Sequence, residues 1–155
     1  MGQAEMRKIS EVFSGIRSVG LDSDCIIYFV DQNPEFDQRM TVVFQEIVSG
    51  RVAGLTSTLA LTEGLVFPLR NADVQLAQRY RELLLNSDDF QVLPVDAAIA
   101  EIAADLRARY NMRTPDAIQI ATALNAGCDA FLTNNGRDFR RVMEINVLVL
   151  NELEL

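Results

Sequence analysis

Acids at a few positions along the chain could do chemistry together. Asp22 closes the short apolar run Val19-Gly20-Leu21. Glu63 lies in the second turn of a helical segment after the run 51–56. Asp116 opens the apolar segment 117–126, and Asn134, Asn135 and Asp138 follow the run 129–133. Carboxylates brought together repel and raise one another's pKa. Such a cluster calls for a positive charge. The chain has no histidine, so Ser-His-Asp triads, Cys-His pairs and histidine zinc sites are excluded. Cys25 and Cys128 both sit in apolar runs and read as small buried hydrophobes. The remaining filler is a hard divalent cation held by oxygen, Mg²⁺ or Mn²⁺. The natural chemistry of that site is phosphodiester hydrolysis by metal-activated water.

Each acid also has a plainer explanation. Asp22 could cap the next turn. A helical Glu such as Glu63 is usually solvated. Asp116 near a helix N-terminus favours the helix dipole by roughly 0.3–1 kcal/mol without any other role. Asp24 is equally a turn residue. Order and spacing together argue more strongly than any single member.

The elements that must position these acids are legible in outline. Ile9, Val12, Phe13 and Ile16 have helical spacing. Residues 19–21, 51–56, 90–93, 129–133 and 147–150 read as strands, and 25–30 is apolar but of ambiguous type. Pro34 suits the first turn of a helix over 34–48 whose stripe is Phe36, Met40, Val43, Phe44 and Ile47. Further helices are expected over 57–69, 72–85 and from Asp96, which caps. In the next helix Thr114 is the expected N-cap, with Pro115 at the first position and Asp116 at the second. The last five residues are expected to fray. Strands alternating with helices, the later strands uniformly apolar, indicate a parallel sheet covered on both faces. The fold class is α/β: three layers, α/β/α, around a central, mostly parallel sheet of about five strands. In such sheets, sites gather outside the carboxyl ends of the strands where the strand order switches.

A length of 155 residues suits a single domain. We divide it into an N-terminal helical extension, 1–18, and a main domain, 19–155. The net charge of −8 argues against whole-surface attraction to nucleic acid, so any basic contacts must be local. Of the 14 bases 13 are Arg, the better partner for phosphate. Arg107, Arg109 and Arg113 precede Asp116, and Arg137, Arg140 and Arg141 follow the run 129–133. No apolar run is long enough to span a bilayer, no N-terminal apolar stretch reads as a signal peptide, and two cysteines make no disulfide framework. A cytoplasmic location is the expectation. A phosphorylated receiver domain would need a lysine after a late strand, and the one lysine is Lys8.

Four motifs then align with a known family. Leu21-Asp22-Ser23-Asp24 with Ile26-Ile27-Tyr28 resembles the opening of a PIN domain. Thr58-Leu59-Ala60-Leu61-Thr62-Glu63 is similar to its second motif, and Arg113-Thr114-Pro115-Asp116-Ala117-Ile118 with Gln119-Ile120-Ala121-Thr122-Ala123 to its third. Asp129-Ala130-Phe131-Leu132-Thr133-Asn134-Asn135 resembles the fourth. The nearest subgroup is the VapC-like toxins of type II toxin–antitoxin systems. The resemblance implies a Mg²⁺- or Mn²⁺-dependent endoribonuclease with Asp22, Glu63 and Asp116 as catalytic metal-holding residues, and products bearing a 5′-phosphate and a 3′-hydroxyl. It implies an RNA substrate, a cognate antitoxin and a tendency to form homodimers. Ser23, Thr133, Asn134, Arg113 and Arg137 are the expected substrate contacts. Two departures stand out. The fourth motif ends in Asn135 where the family usually has Asp, and the first carries Asp24 where it often has Asn. Asp24, Asn135 and Asp138 are therefore the further metal candidates, Asp138 sharing a helical face with Asn135. The missing charge at Asn135 also motivates the alternative of a catalytically weak PIN module that binds or regulates.

Overall fold

A computed structural model describes residues 5–155; the first four residues of the expected extension lie outside that range. The short apolar runs do become strands, and the element order is β1 (Arg7–Lys8), α1 (Ile9–Ser14), β2 (Ser18–Leu21), α2 (Ser23–Val30), α3 (Asp37–Val48), β3 (Ala53–Ser57), α4 (Leu59–Arg70), α5 (Val74–Asn86), β4 (Phe90–Leu93), α6 (Ala97–Tyr110), α7 (Thr114–Asn125), β5 (Ala130–Thr133), α8 (Gly136–Phe139), β6 (Asn146–Val149), a 3₁₀ turn (Leu150–Glu152) and β7 (Leu153–Glu154).

Strands β2 to β6 form one five-stranded sheet in the order β4-β3-β2-β5-β6, with every pairing parallel. The chain builds outward from β2 through β3 to β4, then returns to lay β5 against the other side of β2. The β2–β5 boundary is thus the switch in strand order, where parallel sheets open a crevice at their carboxyl edge. Strand residues alternate between two apolar layers, as a period of two demands. Ala130 and Leu132 join the core under α1–α5, while Phe131 joins the core under α6 and α7. Close approach is built into β2. A Cβ on Gly20 would lie 2.6 Å from the Ala123 Cβ, so only glycine lets α7 pack this tightly over the strand that delivers Asp22.

Several local expectations change. The ambiguous segment 25–30 is helical, because it follows an N-cap at Asp22. Pro34 precedes its helix: the Asn33 side chain accepts from the backbone N–H groups of Glu35 and Phe36, holding 34–36 in a turn. Thr114 is not an N-cap. Arg113 is the extended residue before α7 (φ −70°, ψ 150°) and Thr114 is already helical, which moves Asp116 one position deeper. The C-terminus does not fray. β7 pairs with β1 in the register Arg7↔Leu153, and the Leu153 side chain is buried. Ile9 and Phe13 of α1 are buried in the same core. No helix among the described residues is long and apolar enough to cross a membrane.

Candidate active site

Asp22 is the first residue after β2 and the N-cap of α2. Its side chain is doubly held: Oδ1 accepts from the Ser23 N–H at 2.9 Å, and Oδ2 from the Thr133 hydroxyl at 2.7 Å. The residue is only 7% exposed. Burial, and then repulsion from Asp24, pushes its pKa well above the usual 3.8, with Asp116 adding a smaller push. Asp24, in the first turn of α2, accepts from the Asn134 and Cys25 N–H groups; burial raises its pKa against those bonds, and Asp116 adds to the rise.

Asp116 arrives from the start of α7 and is 9% exposed. Its Oδ2 is buried with no hydrogen-bond partner. The nearest cation is the Arg113 guanidinium, whose Nε stands 3.5 Å away, at the outer limit of a hydrogen bond, on a side chain 77% exposed. Burial raises the Asp116 pKa, Arg113 opposes the rise and Asp138 adds to it. Glu63 lies on the exposed side of α4 and accepts from the Ser23 hydroxyl at 2.7 Å through Oε1.

Segments distant in sequence therefore meet at the carboxyl edge of the sheet. Asp22 feels the charge of Asp24 and Asp116, Asp24 that of Asp116, and Asp116 that of Asp138, and Glu63 is tied to the residue next to Asp22. They do not form a finished cage: among the described residues no three acids stand in ligating position around one point. The donor chemistry nevertheless fits a hard divalent cation. All the available ligands are oxygens, the buried Asp116 Oδ2 lacks a hydrogen-bond partner, and the raised carboxyl pKa values are the response that a nearby positive charge reverses.

A model of the PIN domain matches residues 19–145, most of the chain. The chain belongs to the PIN domain family. No curated protein matches its sequence. Among solved structures it is similar to a toxin–antitoxin complex from Klebsiella pneumoniae, with 22% identity, a TM-score of 0.65 and coverage of 86% of this chain and 97% of that one. A second is VapBC2 from Rickettsia felis bound to a promoter DNA fragment (14% identity, TM-score 0.68, 85% and 98% coverage). A third is FitAcB from Neisseria gonorrhoeae (18% identity, TM-score 0.61, 88% and 99% coverage). At these identities the likeness is one of fold, and the chain spans nearly the full length of each.

Within this PIN domain the fourth motif acts on the acids. Thr133 donates to Asp22 and accepts from the Asn135 N–H at 3.0 Å. Asn134 holds Asp24 through its backbone N–H. The Asn135 amide donates to Asp138 at 2.8 Å, so the neutral side chain and the nearby acid are linked. Ser23 is 4% exposed, and its hydroxyl is bonded on both sides inside the protein. Of the six arginines flanking the site, Arg109 is paired with Asp105 and Glu144, Arg140 with Glu152, and Arg107 donates to the Met112 carbonyl. Arg113 reaches Asp116. Arg137 and Arg141 are exposed and, among the described residues, in no ion pair.

Sequence reasoning passed over Gln119. It is 2% exposed on α7, donates to the Ser23 hydroxyl at 2.6 Å and accepts from the Ser57 hydroxyl at 2.8 Å. The available signal was a carboxamide inside a segment otherwise apolar nearly all round, because a buried polar group requires partners.

Proposed function

We propose that this PIN domain protein is a divalent-metal-dependent endoribonuclease and the toxin of a toxin–antitoxin pair. The observation that carries the reading is the buried Asp116 oxygen with no hydrogen-bond partner and only the exposed Arg113 guanidinium 3.5 Å away, set beside the pKa-raised carboxyls of Asp22 and Asp24 at the switch point of the sheet. Asp22, Glu63 and Asp116 are the residues to hold Mg²⁺ or Mn²⁺, with Asp24 and Asp138 adding negative charge around them. Bound there, the ion would supply Lewis-acid polarisation of the scissile phosphate and a lowered pKa for water. The chain's own residues do the rest. Thr133 fixes the Asp22 carboxylate through its hydroxyl, and Asn134 fixes that of Asp24 through its backbone N–H. Arg113, beyond its 3.5 Å approach to Asp116, and the exposed Arg137 are the residues to take RNA phosphates, since an exposed guanidinium suits that fork. Hydrolysis in this mode leaves a 5′-phosphate and a 3′-hydroxyl. Support for a cognate antitoxin comes from the toxin–antitoxin complexes that share the fold; a homodimer is part of the same proposal.

Single-stranded RNA incubated with the protein and Mn²⁺ is the test. Cleavage in Mn²⁺, none in EDTA, and a loss in Asp116→Asn of at least the roughly 10–100-fold typical of outer-shell partners support the reading. Full activity in Asp116→Asn at matched purity contradicts it. Mn²⁺ binding without turnover would favour the non-catalytic PIN module instead, the outcome that Asn135 in the fourth motif makes worth measuring. Growth arrest on expression, relieved by the product of a small neighbouring reading frame, tests the toxin role.

A further inference from the structure

We propose that Gln119 is a positioning residue that sets the Glu63 carboxylate through the Ser23 hydroxyl. The inference rests on the metal-dependent reading of the site and adds to it a part that none of the acids supplies.

A carboxamide in the middle of a buried helix face is unfavourable unless both its ends are bonded. Here both are, and the polarity of each bond is fixed. Ser57 Oγ accepts from the Leu59 N–H at 3.2 Å, which leaves its one hydrogen to donate to Gln119 Oε1 at 2.8 Å. That bond orients the amide, so Nε2 faces Ser23. Nε2 can only donate; it does so at 2.6 Å, making the Ser23 oxygen the acceptor and freeing its single hydrogen for Glu63 Oε1 at 2.7 Å. Every hydrogen in the row points toward the carboxylate. Hydrogen bonds of one polarity in series strengthen one another. The row also joins four elements: β3 through Ser57, α7 through Gln119, α2 through Ser23 and α4 through Glu63.

Glu63 needs such an anchor. It lies on the exposed side of α4, and a long acidic side chain there loses rotamer freedom when it is ordered. Asp22 and Asp116 are held by burial and by their own elements; Glu63 is held by Ser23. If Gln119 is removed, the Ser23 oxygen loses the donor that fixes its hydroxyl toward Glu63, and the anchor on the carboxylate loosens.

The experiment compares Gln119→Leu, Ser23→Ala and the double variant with wild type, by Mn²⁺ titration calorimetry, RNA-cleavage kinetics and thermal melting. Groups that orient metal ligands typically contribute about 10–100-fold to affinity or activity. The expected result is a loss on the order of 10-fold in both Mn²⁺ affinity and kcat for each single variant, with KM for RNA unchanged. The double variant should be no worse than either single, because both break one row. Gln119→Leu that melts lower yet binds Mn²⁺ and cleaves like wild type overturns the inference, as do losses that multiply in the double variant. Where Gln119→Leu does not fold, Ser57→Ala removes the 2.8 Å bond that orients the carboxamide, leaving only the 3.5 Å approach of the Thr56 hydroxyl, with a smaller change in volume; unchanged Mn²⁺ affinity and kcat in that variant are equally fatal. Wild type that binds no Mn²⁺ brings down the metal-dependent reading and this inference with it. Wild type that binds, beside an unaltered Gln119→Leu, brings down this inference alone.

Discussion

Replacing Asp22 by Asn should make the metal-free protein more stable. The carboxylate is 7% exposed, and both its burial and its acidic neighbours hold its pKa well above 3.8. In the unfolded chain those pressures vanish. Between the unfolded and the raised folded value the folded state binds more protons, so stability falls as pH rises through that window and the whole penalty is present above it. Each tenfold difference in proton affinity corresponds to about 1.4 kcal/mol. Asn relieves the buried charge, whose effective cost is several kcal/mol per ion. Against that gain, two bonds to the carboxylate, at 2.9 and 2.7 Å, become neutral, each weaker by about 1 kcal/mol. The amide must also face Thr133 Oγ1, which already accepts from Asn135. We expect a net gain of about 1–2 kcal/mol, or roughly 2–8 °C in Tm for a chain of this length. The assay is thermal melting in EDTA at about pH 7.5 and about pH 5. The advantage of the variant should shrink as pH falls toward the ordinary carboxyl range, where the raised pKa lets the folded wild type take up its proton. Mn²⁺ should reverse the ranking, since a ligand at 100 times its Kd stabilises the folded state by about 2.7 kcal/mol. An Asp22→Asn protein that melts below wild type in EDTA near pH 7.5, or a gap that ignores pH, refutes the reasoning.

Two stability predictions concern the scaffold. Gly64 adjoins Glu63 on α4, and a Cβ there would lie 2.6 and 2.7 Å from ring carbons of Tyr80, which is buried and donates its hydroxyl to Asp31 at 2.7 Å. Gly64→Ala should cost about 1–3 kcal/mol in urea unfolding through overpacking and lower cleavage by shifting α4; unchanged stability would mean that the α4–α5 contact yields freely. Leu153→Ala should cost about 2–5 kcal/mol as a buried Leu truncation, whereas a tail that frays would show no change in Tm.

The fold and the acidic positions were legible because local chemistry sets them. Asp96 caps α6 by accepting from the Ile99 N–H, and the apolar runs at β5 and β6 leave little choice but a covered parallel sheet. What stayed hidden depends on distant partners. Residues 25–30 carry an apolar run compatible with strand or helix, and the bond from the Ser23 N–H to Asp22 accompanies the helical outcome. Leu153 is fixed by a strand at the opposite end of the chain. Thr114 looks like an N-cap, yet the extended backbone at Arg113 places the boundary one residue earlier. The linkage of Gln119 to Ser23 and Ser57 spans separations of 96 and 62 residues, which no periodicity records. The arginine clusters read as one kind of surface, but side-chain partners divide them into paired and exposed members.

The central claim is that Asp22, Glu63 and Asp116 together hold one divalent cation site, and Mn²⁺ titration calorimetry of wild type beside Asp116→Asn tests it most directly. The expected result is saturable binding to wild type that weakens in the variant by at least the roughly 10–100-fold typical of lost outer-shell partners, while the variant, relieved of a buried carboxylate, melts no lower than wild type in EDTA. No binding to wild type, or equal binding to both, would contradict it.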